Sequence, residues 1–144
     1  MIEQDTIRLL RECSAGVKMG VSAIDDVMEH VTEQKFRDRL ADCRTEHQEL
    51  EKQIKTRLKR FHNEDKEPNP MAKGMSWIKT NATLALDESD GTIADLLTDG
   101  CNMGVKSLNR YLNQYEAADE YSKDITKRLI NLEEELVIDI RPYL

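Results

Sequence analysis

The chain has few of the residues that interrupt helices or staple small folds together. Of its 144 residues, 6 are glycine and 3 are proline, which excludes collagen-like, low-complexity and turn-rich β architectures. Its 3 cysteines are an odd number without C-x-x-C spacing, so neither a disulfide framework nor a zinc knuckle is expected. The longest stretch without a charged residue, residues 80–86, is far shorter than the about 20 apolar residues of a membrane span.

The charge balance is acidic, with a formal net charge of −7. Such a chain repels a phosphate backbone, so nucleic-acid binding is not expected. One basic cluster, Lys52, Lys55, Arg57, Lys59 and Arg60, is explained better by the stabilising effect of cations at a helix C-terminus. The first five residues are acidic and contain no apolar core, which predicts no secretory signal and a cytoplasmic protein.

Four long stretches carry apolar residues at alternating steps of three and four, the spacing of an amphipathic helix facing one core. The first stripe is Ile7, Leu10, Ser14, Val17, Val21, Ile24, Met28 and Val31, the second is Phe36, Leu40, Cys43, His47, Leu50, Ile54, Leu58 and Phe61, the third is Ile93, Leu97, Gly100, Gly104, Leu108, Tyr111 and Tyr115, and the fourth is Ala118, Ser122, Ile125, Leu129, Leu132, Leu136 and Ile140. These stripes predict an all-α, four-helix bundle in a single domain spanning residues 1–144.

The connections between the stripes predict the topology. The first two stripes are joined by only a few residues near His30, so their helices fold back as an antiparallel hairpin. Between the second and third stripes, Asn69-Pro70 is typical of a helix start, and a shorter helix is expected to end near Leu86. Its about 17 residues would span about 25 Å, enough to return the chain along the bundle. The third long helix would then run parallel to the second.

A short internal repeat links the first and third helices. Gly16-Val17-Lys18-Met19-Gly20-Val21 recurs as Gly100-Cys101-Asn102-Met103-Gly104-Val105. Glycine inside a helix costs about 1 kcal/mol relative to alanine, so two such pairs need a reason. Close helix–helix packing at Gly16, Gly20, Gly100 and Gly104 is the favoured explanation. Room for a bound group is the alternative.

Several short motifs carry a resemblance to a known family. The segments Leu9-Leu10-Arg11-Glu12-Cys13, Asp25-Asp26-Val27 and Trp77-Ile78-Lys79, together with Gly16 and Gly74, resemble a bacterial family of uncharacterised ferritin-like proteins. The resemblance covers about Thr6 to Leu136. It implies a ferritin-like four-helix bundle with an additional shorter helix in the long crossover between the second and third long helices.

The chemistry of ferritin-like bundles is a carboxylate-bridged dimetal site, which needs a Glu from each of two helices and a Glu-x-x-His from each of the others. Related chains carry acidic residues where this sequence has Val17, Lys18 and Cys101. The second helix has Glu46-His47-Gln48-Glu49, with Glu where the motif needs its histidine, and residues 133–135 have no histidine nearby. No metal, cofactor or catalytic residue is therefore expected.

His47 is the one ionisable residue on the predicted seams. A core histidine bonded to a neighbour such as Ser14 is the main interpretation, and metal ligation with Cys43 or Glu46 or a role in fixing register are the alternatives. The residues of a possible degenerate metal site are His47, Glu46, Glu49 and Glu133, although the run 133–135 is expected to be mainly a solvated face.

Two functions follow from these patterns. The first is a non-catalytic binding or interaction protein, expected as a homodimer or with an unidentified protein partner, that lacks a complete dimetal site. The alternative is an iron- or manganese-binding, stress-protective protein with a rearranged carboxylate and histidine site. An enzyme of another class is not expected, because no nucleophile elbow, phosphate loop or His-Glu-x-x-His motif is present.

Overall fold

The structure is a computed structural model that describes residues 2–66 and 89–144, and over those residues it contains helices and no strand. Four long helices are α1 (Ile2–Met28), α2 (Gln34–Arg60), α3 (Asp90–Gln114) and α4 (Glu120–Asp139), followed by a short 3-10 helix (Arg141–Tyr143). The prediction of four long helices is confirmed. The additional crossover helix expected over residues 69–86 lies outside the described residues, as do Gly74 and Trp77.

Pairs of contacting residues give the directions of the helices. The thiol of Cys13 shares a hydrogen bond with the hydroxyl of Thr126, and the hydroxyl of Thr6 accepts one from the backbone N–H of Asp119. Both pairs have a sequence separation of 113, so α1 and α4 are parallel. Arg39 pairs with Asp139 while Arg57 pairs with Asp119, which makes α2 antiparallel to α4.

The first and third helices are antiparallel to each other. The start of α3, at Asp90, contacts the join after α1 at Thr32, whereas Tyr111, near the end of α3, interacts with Glu12 near the start of α1. α2 is antiparallel to α4, α3 is antiparallel to α1, and α1 and α4 are parallel. Therefore α2 and α3 are parallel to each other. The sequence predicted this orientation from the length of the intervening segment.

The interior consists of two apolar clusters stacked along the bundle axis. The upper core, near the α3–α4 turn, is formed by Leu9, Leu10, Cys13, Val17, Leu50, Ile54, Leu58, Leu108, Ala118, Ile125, Leu129 and Ile130. The lower core, near the α1–α2 join, is formed by Ile24, Val27, Val31, Phe36, Leu40, Cys43, Ile93, Ala94, Leu97, Leu136 and Ile140. The stripe predicted for α2 is buried from Phe36 through Leu58, which confirms that seam.

The predicted seams of α3 and α4 are wrong at mid-helix. Gly100 is exposed, and Cys101 packs against the lower core instead. On α4 Leu132 is only partly buried, whereas Glu133 is buried. An α-helix has 3.6 residues per turn, so its core positions recur at steps of three or four residues. Choosing the wrong step shifts the predicted core position by one residue, as at Gly100 on α3 and Leu132 on α4.

One carboxylate connects the start of α3 to the α1–α2 join. Asp90 accepts hydrogen bonds from the backbone N–H groups of Thr32 and Glu33, at 2.9 and 3.0 Å, and from the hydroxyl of Thr32. Burial raises the pKa of Asp90, but these hydrogen bonds outweigh burial, and the net pKa is lower than its usual value. The carboxylate therefore satisfies donors that precede the first turn of α2.

We expect Asp90→Ala to lower the free energy of unfolding by about 1–2 kcal/mol, the usual cost of losing such a capping carboxylate. Since the pKa of Asp90 is depressed in the folded state, its contribution is present above the unfolded pKa and is lost as the pH falls through the folded pKa. Denaturant titrations at pH 7 and at pH 3 measure both effects. A difference between wild type and variant that is as large at pH 3 as at pH 7 would exclude this role.

Candidate functional site

Between the two apolar cores lies a layer that contains ionisable side chains. We call it the middle layer and define it as Gly20 of α1, His47 of α2, Gly104 of α3 and Glu133 of α4. The separation of 113 residues that relates α1 to α4 takes Gly20 to Glu133, so these two residues are level. His47 is 2% exposed and Glu133 is 8% exposed. Each glycine faces one of the two ionisable side chains.

His47 lies in space that a side chain at Gly20 would fill. A Cβ atom added to Gly20 would be 3.0 Å from both Cδ2 and Nε2 of the imidazole. The ring is fixed by its other nitrogen, because Nδ1 is 2.8 Å from the carbonyl oxygen of Cys43 and can only donate a proton to it. Burial lowers the pKa of His47 below 6.5, so the imidazole is neutral at pH 7. The imidazole of His47 therefore makes its hydrogen bond to the backbone carbonyl of Cys43 and not to Ser14, the neighbour suggested by the sequence.

Glu133 occupies the equivalent gap beside Gly104. A Cβ atom added to Gly104 would lie 2.9 Å from Cδ of Glu133, so the carboxyl group takes the place of an alanine methyl. The Oε2 atom is buried and has no hydrogen-bond partner among the described residues. Burial raises the pKa of Glu133 from 4.5 to about 8, which keeps the carboxyl group mainly protonated at neutral pH.

The electrostatic influence of Glu133 reaches all three thiols of the chain. Cys13, Cys43 and Cys101 each have a pKa raised to about 12, first by burial and also by the negative charge of Glu133. Cys13 Sγ is 3.1 Å from the hydroxyl of Thr126, and Cys43 Sγ is 3.5 Å from Nδ1 of His47. Since the thiolate is the reactive form, none of these cysteines is activated as a nucleophile.

The other two residues of the predicted degenerate site lie elsewhere. Glu49 is exposed and Glu46 is partly buried, and both line an open surface groove between α2 and α4 together with Arg128 and Glu135. The structure therefore brings His47 and Glu133 into one layer and leaves Glu46 and Glu49 at the surface. The expectation that residues 133–135 form a solvated face holds for Glu134 and Glu135 and is wrong for Glu133.

The four repeated glycines have different surroundings. A Cβ atom at Gly16 would make an ordinary contact of 3.9 Å with Leu129, while one at Gly100 would meet no atom within 4 Å. Gly20 and Gly104 instead provide room for the side chains of His47 and Glu133. Close helix packing thus describes Gly16 at most, and it does not describe Gly100.

The residues of the middle layer do not fit a dimetal site. Such a site needs four carboxylates and two imidazoles converging at one depth, whereas this layer offers one of each. In the described ranges, 2–66 and 89–144, no group of three or more His, Cys, Asp or Glu residues is placed to hold a metal ion. The unpartnered Oε2 of Glu133 shows that the one available carboxyl group faces a glycine and not a second donor.

The repeat also places two apolar side chains on the surface. Met19 is 38% exposed and Met103 is 70% exposed. The register that pairs Thr32 with Asp90 across α1 and α3 puts these methionines at the same level on neighbouring helices. Both are exposed apolar side chains at that level, and Met103 lies within one turn of the exposed Gly100 on α3.

Sequence reasoning missed the pairing of each glycine with an ionisable residue. The signal was present, because a short join between α1 and α2 sets Gly20 near His47 once the hairpin is antiparallel, and the turn between α3 and α4 does the same for Gly104 and Glu133. A repeat within single helices does not by itself indicate which residue of a neighbouring helix lies opposite each glycine.

No protein-family model, curated protein or solved structure matches the chain. Among the described helices, none is both long and apolar enough to cross a membrane.

Proposed function

We propose that the chain is a ferritin-like helical bundle without a complete dimetal site, which acts as a non-catalytic interaction protein and associates as a homodimer. The observation that carries this proposal is the composition of the middle layer. At the depth where the ligands of a dimetal site would converge, Gly20 leaves room for the neutral imidazole of His47, and Gly104 leaves room for the buried carboxyl group of Glu133. The middle layer therefore lacks the ligands that dimetal chemistry needs, which favours a role through contacts at the protein surface.

The exposed methionines of α1 and α3 support self-association. Met19 and Met103 occupy the same position of the repeat and are exposed at the same level. Methionine side chains adapt to apolar partners, and exposed apolar side chains at one level are suited to a two-fold interface in which both copies use the same residues. The acidic net charge of −7 disfavours nucleic acid as the partner.

Solution mass and metal response test the proposal together. We expect sedimentation equilibrium to give a mass of twice 16.6 kDa, and the double variant Met19→Glu/Met103→Glu to be monomeric because it buries charge in the interface. Ile138→Glu, which changes an apolar residue that is 52% exposed on α4, should remain dimeric. A monomeric wild type, or a dimer that is indifferent to the methionine substitutions, would contradict the interface.

The same preparation distinguishes the metal-binding alternative. A ligand that binds only the folded state raises the melting temperature, by an amount that grows with ligand concentration. We expect excess ferrous or manganous ion to leave the melting temperature of the wild type unchanged. A rise of several degrees that disappears in both His47→Ala and Glu133→Gln would overturn the proposal in favour of a metal-binding function.

A further inference from the structure

The carboxyl group of Glu133 is held in a place that suits its protonated form and opposes its ionised form. The side chain is 8% exposed and its Oε2 atom has no partner among the described residues. A protonated carboxyl group can remain there at the cost of one unmade hydrogen bond, whereas a carboxylate would be an uncompensated buried charge. The middle layer therefore strongly favours the protonated form of Glu133 over the ionised form.

Among the described residues, no cation lowers the pKa of Glu133. The charge of Glu133 acts at a distance on the thiols of Cys13 on α1, Cys43 on α2 and Cys101 on α3. His47 of α2 lies in the same layer and is neutral at pH 7, and the charges of Arg39 and Glu46 act on His47. Burial alone accounts for the raised pKa of Glu133.

The glycines of α3 give this carboxyl group a short path to solvent. Gly104, which it contacts, is itself partly exposed, and Gly100 one turn away is exposed. A Cβ atom at Gly100 would meet no atom of the described residues within 4 Å, so none of those residues covers that side of α3. A carboxylate leaving the layer would therefore pass the backbone of α3, and α3 is the helix that must move.

We propose that the middle layer is a proton-operated conformational switch, in which protonated Glu133 closes the α3–α4 pair and loss of its proton drives the carboxylate outward past Gly104, loosening α3. In the closed state the proton is retained up to about pH 8, while in the open, hydrated state the carboxyl group has its ordinary pKa near 4.5. Opening therefore releases a proton and is favoured as the pH rises from about 5 to about 8.

His47 has the opposite dependence in a lower range. Its pKa is lowered in the closed state, so opening takes up a proton and is favoured as the pH falls below 6.5. Above pH 6.5 the imidazole is mainly neutral in both states, so between pH 6.5 and pH 8 it changes the opening equilibrium by at most about twofold. The larger change over this interval is due to Glu133.

Hydrogen–deuterium exchange of the α3 amides tests the switch. We expect the protection factors of the amides around Gly104, which are corrected for the intrinsic rate of exchange, to fall roughly tenfold per pH unit between pH 6.5 and pH 8 in the wild type. Glu133→Gln replaces the acid by a neutral group of the same shape, so its protection factors should not depend on pH. Glu134→Gln, which removes the exposed neighbour, should behave like the wild type.

Equal pH dependence in the wild type and in Glu133→Gln would overturn the switch. A second measurement needs no variant: carbon-13 NMR follows the carboxyl group of Glu133, and the amide shifts of α3 should change with the same midpoint. A carboxyl group that titrates near 4.5, or α3 amides that do not follow it, would also refute the proposal.

Discussion

Shortening Leu129 to alanine is expected to lower the free energy of unfolding by about 3–5 kcal/mol, within the range for a buried leucine whose surroundings relax only partly. Leu129 is fully buried in the upper core, and its Cδ2 atom is the contact nearest to the Gly16 position of α1. Losing three methyl-sized groups there removes contacts between α1 and α4 as well as apolar burial. Urea titration at pH 7 measures the change.

Leu132 provides the matched control for that substitution. It is the same residue type, three positions later on the same helix, and it is only partly buried at the edge of the upper core. We expect Leu132→Ala to cost about 1 kcal/mol, because less apolar area leaves water there. Equal losses of unfolding free energy in the two variants would mean that Leu132 is buried as deeply as Leu129, which would contradict the structure.

The second large effect is a difference between two glycines of the repeat. We expect Gly20→Ala to lower the free energy of unfolding by about 1–2 kcal/mol, although alanine is the better helix former by about 1 kcal/mol. The added Cβ atom would be 3.0 Å from a ring that is fixed by Cys43. A buried, tethered ring cannot move aside without losing that hydrogen bond.

Gly100→Ala should have the opposite sign. Nothing lies within 4 Å of its Cβ position, so the variant gains the helix propensity of alanine without a clash and should be stabilised by about 1 kcal/mol. Chemical denaturation of the two variants side by side gives the comparison. Two variants that are both stabilised would show that the space beside Gly20 is not filled by His47.

The sequence predicts the fold better than it predicts the middle layer. The four long helices of the described residues, their approximate ends and the parallel direction of α2 and α3 follow from apolar spacing and connection lengths. These features depend on burial summed over a whole helix, so single errors of phase do not change them. Arg57, Lys59 and Arg60 also lie in the last turn of α2, the position that the sequence predicts for this basic cluster.

The positions of Glu133 and Gly100 could not be obtained in the same way. A glutamate in the run 133–135 has the composition of a solvated face, and nothing within α4 indicates that one member is turned inward. What makes its burial possible is the missing side chain at Gly104 on a different helix. Such a feature depends on register between helices, which periodicity within one helix does not specify.

The pairing also explains why Gly20 and Gly104 are tolerated inside two long helices. Each costs helix stability, and each lacks a side chain that would collide with an ionisable group in the middle layer. His47 and Glu133 are both neutral between the lowered pKa of the imidazole and the raised pKa of the carboxyl group. The layer is consequently polar without being charged at neutral pH, which fits its position between two apolar cores.

The central claim, that Gly20 and Gly104 leave room for the side chains of His47 and Glu133, is tested most directly by a double-mutant cycle between Gly20→Ala and His47→Ala. If the glycine makes room for the imidazole, alanine at position 20 destabilises the wild type and stabilises the His47→Ala background, so the two effects differ from additivity by about 1–3 kcal/mol. Free energies of unfolding that add within about 0.5 kcal/mol would mean that the two sites are independent and would contradict the account.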